Sequence, residues 1–516
     1  MPAIPSVQIA VQDNGASAAQ SVPQSQVQLK IGCAVGPSVV VNQPFATSSP
    51  TALQKQLVGG PLCEAGGLVC QAGNIVVAIA CPIVSTGTAT AVTHTGTGAS
   101  VMTVALDATN GAWDDLYVSV RVYAAGTFGT NGVVLQVSLD AGRNYGTPIA
   151  MGTSLTLYLG TGTLTTFVAG GTGVQVAFTA ATAVVGDTYT FSTKAPQWNG
   201  AGVAAALAAF QASQYGVAGV GSIHIVGDAM HGGSSTTDVV TIHTQLAAGT
   251  AIYEYNRAIV ELRDALVPVA WGGSGETEAT WIAAIQSAAS GLVAQPRIAA
   301  DSGYYNTPSC FANAAGGLPA YRRNAAWSHA VRRTQIPLQR RAGRVKDGPY
   351  SSIAVNPQVD PTDGFIYHDE RTTPGLNIAR VGSLMTWPKK GAGFFQCQEP
   401  LLCAPGSQFV ELVIGNVLDI ACDIGYAAGV EVVSDDLVCQ PSGALDPQAL
   451  NVLQGTVQQA LNEGMLQVGF ASGVTATVNK TANVQSTGVI PMTIAVLPNA
   501  YVNSVSETIG LTNGGA

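Results

Sequence analysis

The sequence predicts a mixed α/β and α+β chain. It has a largely parallel α/β core, an inserted all-β, sandwich-like domain, an α+β C-terminal domain and extended β-arms at both ends. Three observations predict it. Strand patterns alternate with helical patterns over residues 27–85 and again over 198–300. Between them, residues 86–197 turn to Thr, Gly, Ala and Val with closely spaced turn signals. Each terminus also carries one strand pattern outside any block that could bury it. At 516 residues the chain is too long for one core.

Ser6–Gln12 alternates Val7, Ile9 and Val11 with polar residues, between Pro5 and Asp13-Asn14-Gly15. A strand this isolated has to pair with something: an edge of its own domain, or another chain. A Gln/Ser/Ala-rich linker runs to residue 26. Val27–Val35 then reads as a strand, Thr51–Leu57 as a helix start and Ile75–Ile83 as a buried-type strand. In the β-rich block, strands read at Val101–Leu106, Leu116–Tyr123, Gly132–Leu139, Leu155–Leu159 and Thr188–Ser192.

The α/β alternation resumes with a helix at Val203–Ser213 and a strand at Ser222–Gly227. Helix Thr237–Gly249, strand Ala258–Leu262, helix Glu276–Leu292 and strand Arg297–Ala300 follow. Asn324–Arg333 reads as helical, Leu384–Trp387 and Gly393–Cys397 as short strands, and Gln408–Tyr426 as a helix. Asp446-Pro447 supplies an N-cap and first-turn proline for a helix ending at Gly464. Strands follow at Met465–Phe470, Ala476–Val484 and Val489–Leu497. A last Val/Ile/Thr-rich segment, Tyr501–Leu511, holds Val502, Val505 and Ile509. The expected divisions are 1–26 (arm and linker), 27–85 and 198–395 (core), 86–197 (insertion), 396–500 (C-terminal domain) and 501–516 (arm).

Only 10% of the residues are charged, against an apolar fraction of 47%. A lone enzyme carries about 25% charge, so this balance suits a chain that buries surface against copies of itself. Eight of the 21 basic residues fall at Arg322, Arg323, Arg332, Arg333, Arg340, Arg341, Arg344 and Lys346, with no acid between Asp301 and Asp347. The formal net charge is −9, so the remainder is acidic and would repel DNA. These arginines are therefore expected to answer acidic surfaces on neighbouring subunits rather than nucleic acid. No run of 18 apolar residues predicts membrane insertion. The N-terminal residues lack the pattern of a secretory signal, which implies folding in a cytoplasm.

Chemistry is sparse. Gly200-Ala201-Gly202 brushes the dinucleotide fingerprint, but Pro196-Gln197-Trp198-Asn199 separates it from the preceding strand. His368-Asp369-Glu370 and the trio His224, Asp228 and His231 are the candidate metal ligands, and neither has a second ligand pair at useful spacing. No catalytic constellation, cofactor or metal is expected. Of nine cysteines, Cys33 and Cys81 lie on buried-type strands and read as apolar fillers, while Cys310, Cys403 and Cys439 fall in loops.

One stretch carries a resemblance. Leu376-Asn377-Ile378-Ala379-Arg380, then a short strand, then Gly391-Ala392-Gly393-Phe394-Phe395, then Gly406-Ser407-Gln408-Phe409 before a helix, resembles the core of contractile bacteriophage tail sheath proteins. Gly186-Asp187-Thr188-Tyr189-Thr190-Phe191, with Pro196 soon after, resembles the exit from that family's inserted domain. The resemblance implies a structural virion subunit, made in a bacterial host's cytoplasm, that polymerises helically with itself around a tail tube. Baseplate and tail terminator proteins would be its other partners. Contraction would drive the tube through the host envelope, with terminal arms adding strands to neighbouring subunits. In a released particle, Cys310, Cys403 and Cys439 would be the candidates for disulfides between subunits. A secreted adhesin or surface-layer protein is the alternative, since it would share the Gly/Thr-rich β-domain and the low charge.

Overall fold

Val27–Gly32 pairs in parallel with Ile75–Ala80 on one side and Ser222–Asp228 on the other. Ala258–Glu261 and Ala294–Asp301 extend the parallel run. Phe45–Thr47 and Leu401–Cys403 close the two edges of this seven-stranded sheet in antiparallel sense. In this computed structural model the described residues are 26–502, excepting 37–38, 131, 169, 253, 312–319, 352, 354–363, 392, 405, 408–409 and 432–437. They fall into two compact units that divide at Leu412/Val413.

Strands buried on both faces read as continuous apolar runs, and this sheet is covered twice. Leu29, Ile31, Val77, Ile79, Ile223 and Ile225 meet helices Gly200–Gln211, Thr237–Gly249 and Glu278–Ser290 through Phe210, Ile242 and Trp281. The opposite face carries Val76, Ala78 and Ala80 under helices Pro50–Leu57 and Pro61–Gln71, with Trp327 and Val331 of helix Ala325–Arg333. That second face has polar residues in its middle. Gln28, Lys30, Ser222 and His224 are all buried there. Gln28 reaches up to donate to the Ala330 carbonyl, 2.7 Å.

Residues 86–197 fold as antiparallel sheets. The larger one runs Ile149–Ala150, Val134–Ser138, Tyr117–Ala124, Thr188–Lys194, Thr88–Ala89; a second runs Thr156–Tyr158, Val174–Phe178, Met102–Leu106. Val118, Val120, Phe128, Leu135, Val176, Phe178 and Tyr189 fill the core between them. Trp113 leaves that core and packs on Val35 and Val58. The sequence pattern does not announce the strand at Val174–Phe178 or the helix at Pro61–Gln71. Gly66 and Gly67 hide the helix and sit close to neighbours: a Cβ at Gly66 would lie 2.7 Å from Leu53, and one at Gly67 3.0 Å from Cys310.

In the second unit, Asp446 caps helix Pro447–Leu461 by accepting from the Gln448 amide, 2.8 Å. Leu450, Leu453, Val457 and Leu461 pack with Val417 and Ala421 of helix Leu412–Val430 and with Val474, Ala476 and Val478. The expected strand at Met465–Phe470 is not formed. The helix instead continues through a wide turn, Asn462–Leu466, and the left-handed stop is Gly469, φ 75°. Gly464 serves close helix contact, since a Cβ there would lie 2.6 Å from Ile424. Helix Leu412–Val430 is long and apolar enough to cross a membrane by length and composition. It carries Asp419 and Asp423, and burial, then the Asp419 charge, push Asp423 up to about 6. Its Val417, Ala421 and Ala428 lie in the unit's core.

The unit ends in a two-stranded antiparallel sheet, Ala471–Val478 with Met492–Pro498. Among the described residues neither strand has a second partner. Thr493, Ala495 and Leu497 are exposed on the outer strand.

Candidate functional site

The arginine block folds inward. Tyr304–Pro308 and Ala320–Asn324 make an antiparallel ribbon, and Asn324 caps the helix Ala325–Arg333 through the Ala326 amide, 2.8 Å. Arg322 grips Asp264 with two nitrogens, Nε at 2.5 Å and Nη2 at 2.8 Å, and its plane lies over Phe365 and Tyr367. Arg323 binds Asp114 at 2.7 Å and covers Trp327. Arg332 donates to the carbonyls of Asp347, Gly348 and Pro349. Arg333, 0% exposed, donates to the carbonyls of Leu338 and Arg340 and stands 3.5 Å from Glu399. Arg341 is paired with Glu411, while Arg340 is 41% exposed beside Asp347.

The six arginines expected at subunit contacts therefore divide. Arg322, Arg323, Arg332 and Arg333 are buried against this chain's own acids and carbonyls, Arg341 answers Glu411, and Arg340 stands at the surface. Their partners Asp114, Asp264, Glu399 and Glu411 are distant in sequence, so no local pattern announces them.

Three buried histidines lie in the same unit, and two of them, His329 and His368, are hydrogen-bonded at both ring nitrogens. His224 meets Lys30 at 2.7 Å and Glu261 at 3.1 Å. Burial brings Lys30 down to about 7 and Glu261 up to about 8, and it holds His224 well below the usual range. His329 bridges Asp301, 2.6 Å, and Glu399, 2.7 Å. Burial opposes its charge, but the two carboxylates prevail and lift it to about 9. His368 bridges Glu278 and Glu370, both at 2.9 Å. An imidazole held on both sides is a poor proton shuttle. His329 and His368 are built as braces.

The sign of the His329 contribution sets a test. A histidine raised from 6.5 to about 9 stabilises the fold fully below pH 6.5, and this is lost as pH rises through 9. The difference corresponds to about 3 kcal/mol. His329→Gln is expected to lower the unfolding temperature most at pH 6, with the gap to the native protein narrowing by pH 10. Thermal unfolding across that range measures it, and a gap independent of pH would refute the charged brace.

Glu370 organises the stretch that carried the resemblance. It accepts from the amides of Gly375, Leu376 and Asn377 at 2.8–3.1 Å, which sets the turn into Asn377–Ala379. Leu376 is buried, and Arg380, φ 60°, donates to the sulfur of Cys403. Gly382 lies against Asp301, where a Cβ would clash at 1.8 Å. Leu384–Thr386 and Phe394–Gln396 then form a hairpin before Leu401–Cys403 joins the main sheet.

The other candidates are dispersed. His231 pairs with Asp238 at 2.8 Å, and Asp228 binds the Met230 and Gly232 amides, so His224, Asp228 and His231 do not converge. Among the described residues no group of three or more His, Cys, Asp or Glu is placed to hold a metal. The helix start at Gly200-Ala201-Gly202 is taken: Asn199 accepts from Gly202, and Asp238 accepts from the Gly200 amide at 2.7 Å. A cavity of about 180 Å³ lies past the carboxyl ends of the central strands, lined by Cys33, Lys194, Asp228, Glu261, Asp264 and Arg322 among others. Strand order reverses there, the usual ligand crevice of an open α/β sheet. Charges of both signs line it.

The structure contains no disulfide among the described residues. Cys403 is buried, and Cys310 and Cys439 are half-buried. Cys310 sits against Glu64, its amide donating to the carboxylate at 3.0 Å. Val7, Ile9, Val11, Val505 and Ile509 lie outside the described residues, and Val502 is 75% exposed.

No protein-family model matches the chain, and no curated protein matches it. Solved structures similar to it include sheath tail proteins and assemblies of contractile injection systems. The sheath tail protein of Listeria innocua is 8% identical with a TM-score of 0.42, over 92% of this chain and 94% of that one. That of Desulfitobacterium hafniense is 10% identical with a TM-score of 0.42, over 94% and 99%. The contracted helical sheath of the anti-feeding prophage is 12% identical with a TM-score of 0.36, over 63% and 78%.

Proposed function

We propose that the chain is the structural subunit of a contractile phage tail sheath. It polymerises helically around a tail tube, joins a baseplate and a tail terminator, and shortens to drive the tube through a host envelope. The observation that carries this is the two-stranded sheet of the second unit, Ala471–Val478 with Met492–Pro498: Gln458 takes up the far edge of the first strand at Val474 and Ala476, and Met492–Pro498 offers an outer edge among the described residues. The strand patterns that the sequence shows at Ser6–Gln12 and Tyr501–Leu511 are what such an edge would accept by β-augmentation. The motif from Leu376 to Phe395 supports the same reading, because Glu370 and the hairpin build it as a rigid knot of the core. Histidines clamped on both nitrogens favour a scaffold over an enzyme.

Negative-stain microscopy of the purified protein tests the reading. Tubes or stacked rings are expected, and dispersed monomers at every salt and protein concentration tried would refute it.

A further inference from the structure

Val27–Gly32 and Ile75–Ala80 run in parallel with Leu29 opposite Val77 and Ile31 opposite Ile79, and these four side chains share one face and one core. The ladder continues past both strands, since the Cys81 amide donates to the Gly32 carbonyl at 3.0 Å. Cys33 and Cys81 are therefore the next opposed pair on that face, and both are buried in the same cluster. Adjacent strands stand about 4.8 Å apart, inside the Cα separation of about 4.4–6.8 Å that a disulfide bridges. Burial, then the neighbouring Cys33 thiol, holds the Cys81 thiol well above its usual range. Cys33 also lines the cavity at the carboxyl ends of the strands.

We propose that Cys33 and Cys81 are a disulfide-forming pair, closed by exchange with a small-molecule disulfide that reaches Cys33 through the cavity. The Cys33 thiolate attacks one sulfur of the oxidant, forming a mixed disulfide and expelling one small thiolate. The Cys81 thiolate then attacks the Cys33 sulfur, closing the protein bond and expelling the second. The two protons lost by the protein end on the two small thiols, so two cysteines are oxidised as one small disulfide is reduced. A raised thiol pKa makes the exchange slow, on the order of hours. The bond would close a loop of roughly 50 residues and tie together two central strands of the sheet. The sequence alone makes both residues apolar fillers; only the register brings them face to face.

The test uses the full native chain and hydroxyethyl disulfide at mildly alkaline pH, followed by alkylation and a non-reducing digest. A peptide joining Cys33 to Cys81 is expected, with the unfolding temperature raised by about 5 °C. Both changes should reverse with reductant and be absent in Cys33→Ala and Cys81→Ala. Three results would overturn the proposal: no joined peptide after prolonged incubation, a hydroxyethyl adduct that persists on Cys33, or joining only in protein first unfolded. The joined peptide is read on the native chain, so a poorly folding variant does not blur the result. The pair stands independently of the sheath reading.

Discussion

Deleting residues 1–15, or residues 501–516, is expected to leave a folded monomer and to abolish ordered polymer. Among the described residues, the buried core clusters lie between Leu29 and Val478. On the proposed strand exchange, the deletion removes a segment that would pair with an outer edge such as that of Met492–Pro498 on another copy. At about 1 kcal/mol net for each main-chain hydrogen bond, one arm contributes about 5 kcal/mol. That is modest for one contact, but it repeats at every subunit of an open polymer. Ile9→Pro should act in the same direction by removing a ladder donor. Circular dichroism and sedimentation report the folded monomer, and microscopy reports the polymer. Normal sheaths from either truncated chain would exclude the strand-exchange mechanism.

The second large effect is internal. Arg333→Ala is expected to destabilise the first unit by about 3–5 kcal/mol, the cost of breaking a buried ionic group by removing one partner. Two carbonyls, Leu338 and Arg340, would lose their donor, and Glu399 would keep its carboxylate beside His329 with one cation fewer. Arg333→Lys should recover little, because one ammonium cannot reproduce the flat fork that reaches all three groups. Arg340→Ala is the control: its side chain is 41% exposed, so a change within about 0.5 kcal/mol is expected. Urea unfolding of the three variants decides it. Equal losses at Arg333 and Arg340 would mean that the buried layer is not what holds this part together.

What could be read from the sequence follows the range over which each feature is determined. Strands such as Ile75–Ala80 and helices such as Thr237–Gly249 are set by runs and caps a few residues long, and the reading places them close to where they form. The cap residue Asp446 is equally local. Tyr304–Pro308 and Ala320–Asn324 escape because their polar side chains point into the protein, reversing the pattern that marks a strand. The role of the arginines escapes because each buried cation is answered from far along the chain, as Arg323 is by Asp114. Lys30 and His224 look like interruptions of apolar strands until the register sets them opposite each other.

That Arg323–Asp114 contact bears on how the molecule carries load. Asp114 belongs to the β-rich stretch, and Arg323 to the ribbon that leads into the helix over the main sheet. Beside them the Asn110 amide donates to the Val35 carbonyl, and Trp113 is wedged against Val35 and Val58. Twisting one part against the other would draw a guanidinium from its carboxylate in a dry interior and unseat an indole in the same movement. Such a joint resists torque. The β-rich stretch and the sheet are thereby pinned at three points, and the proposed sheath would find its compliance at the contacts between copies.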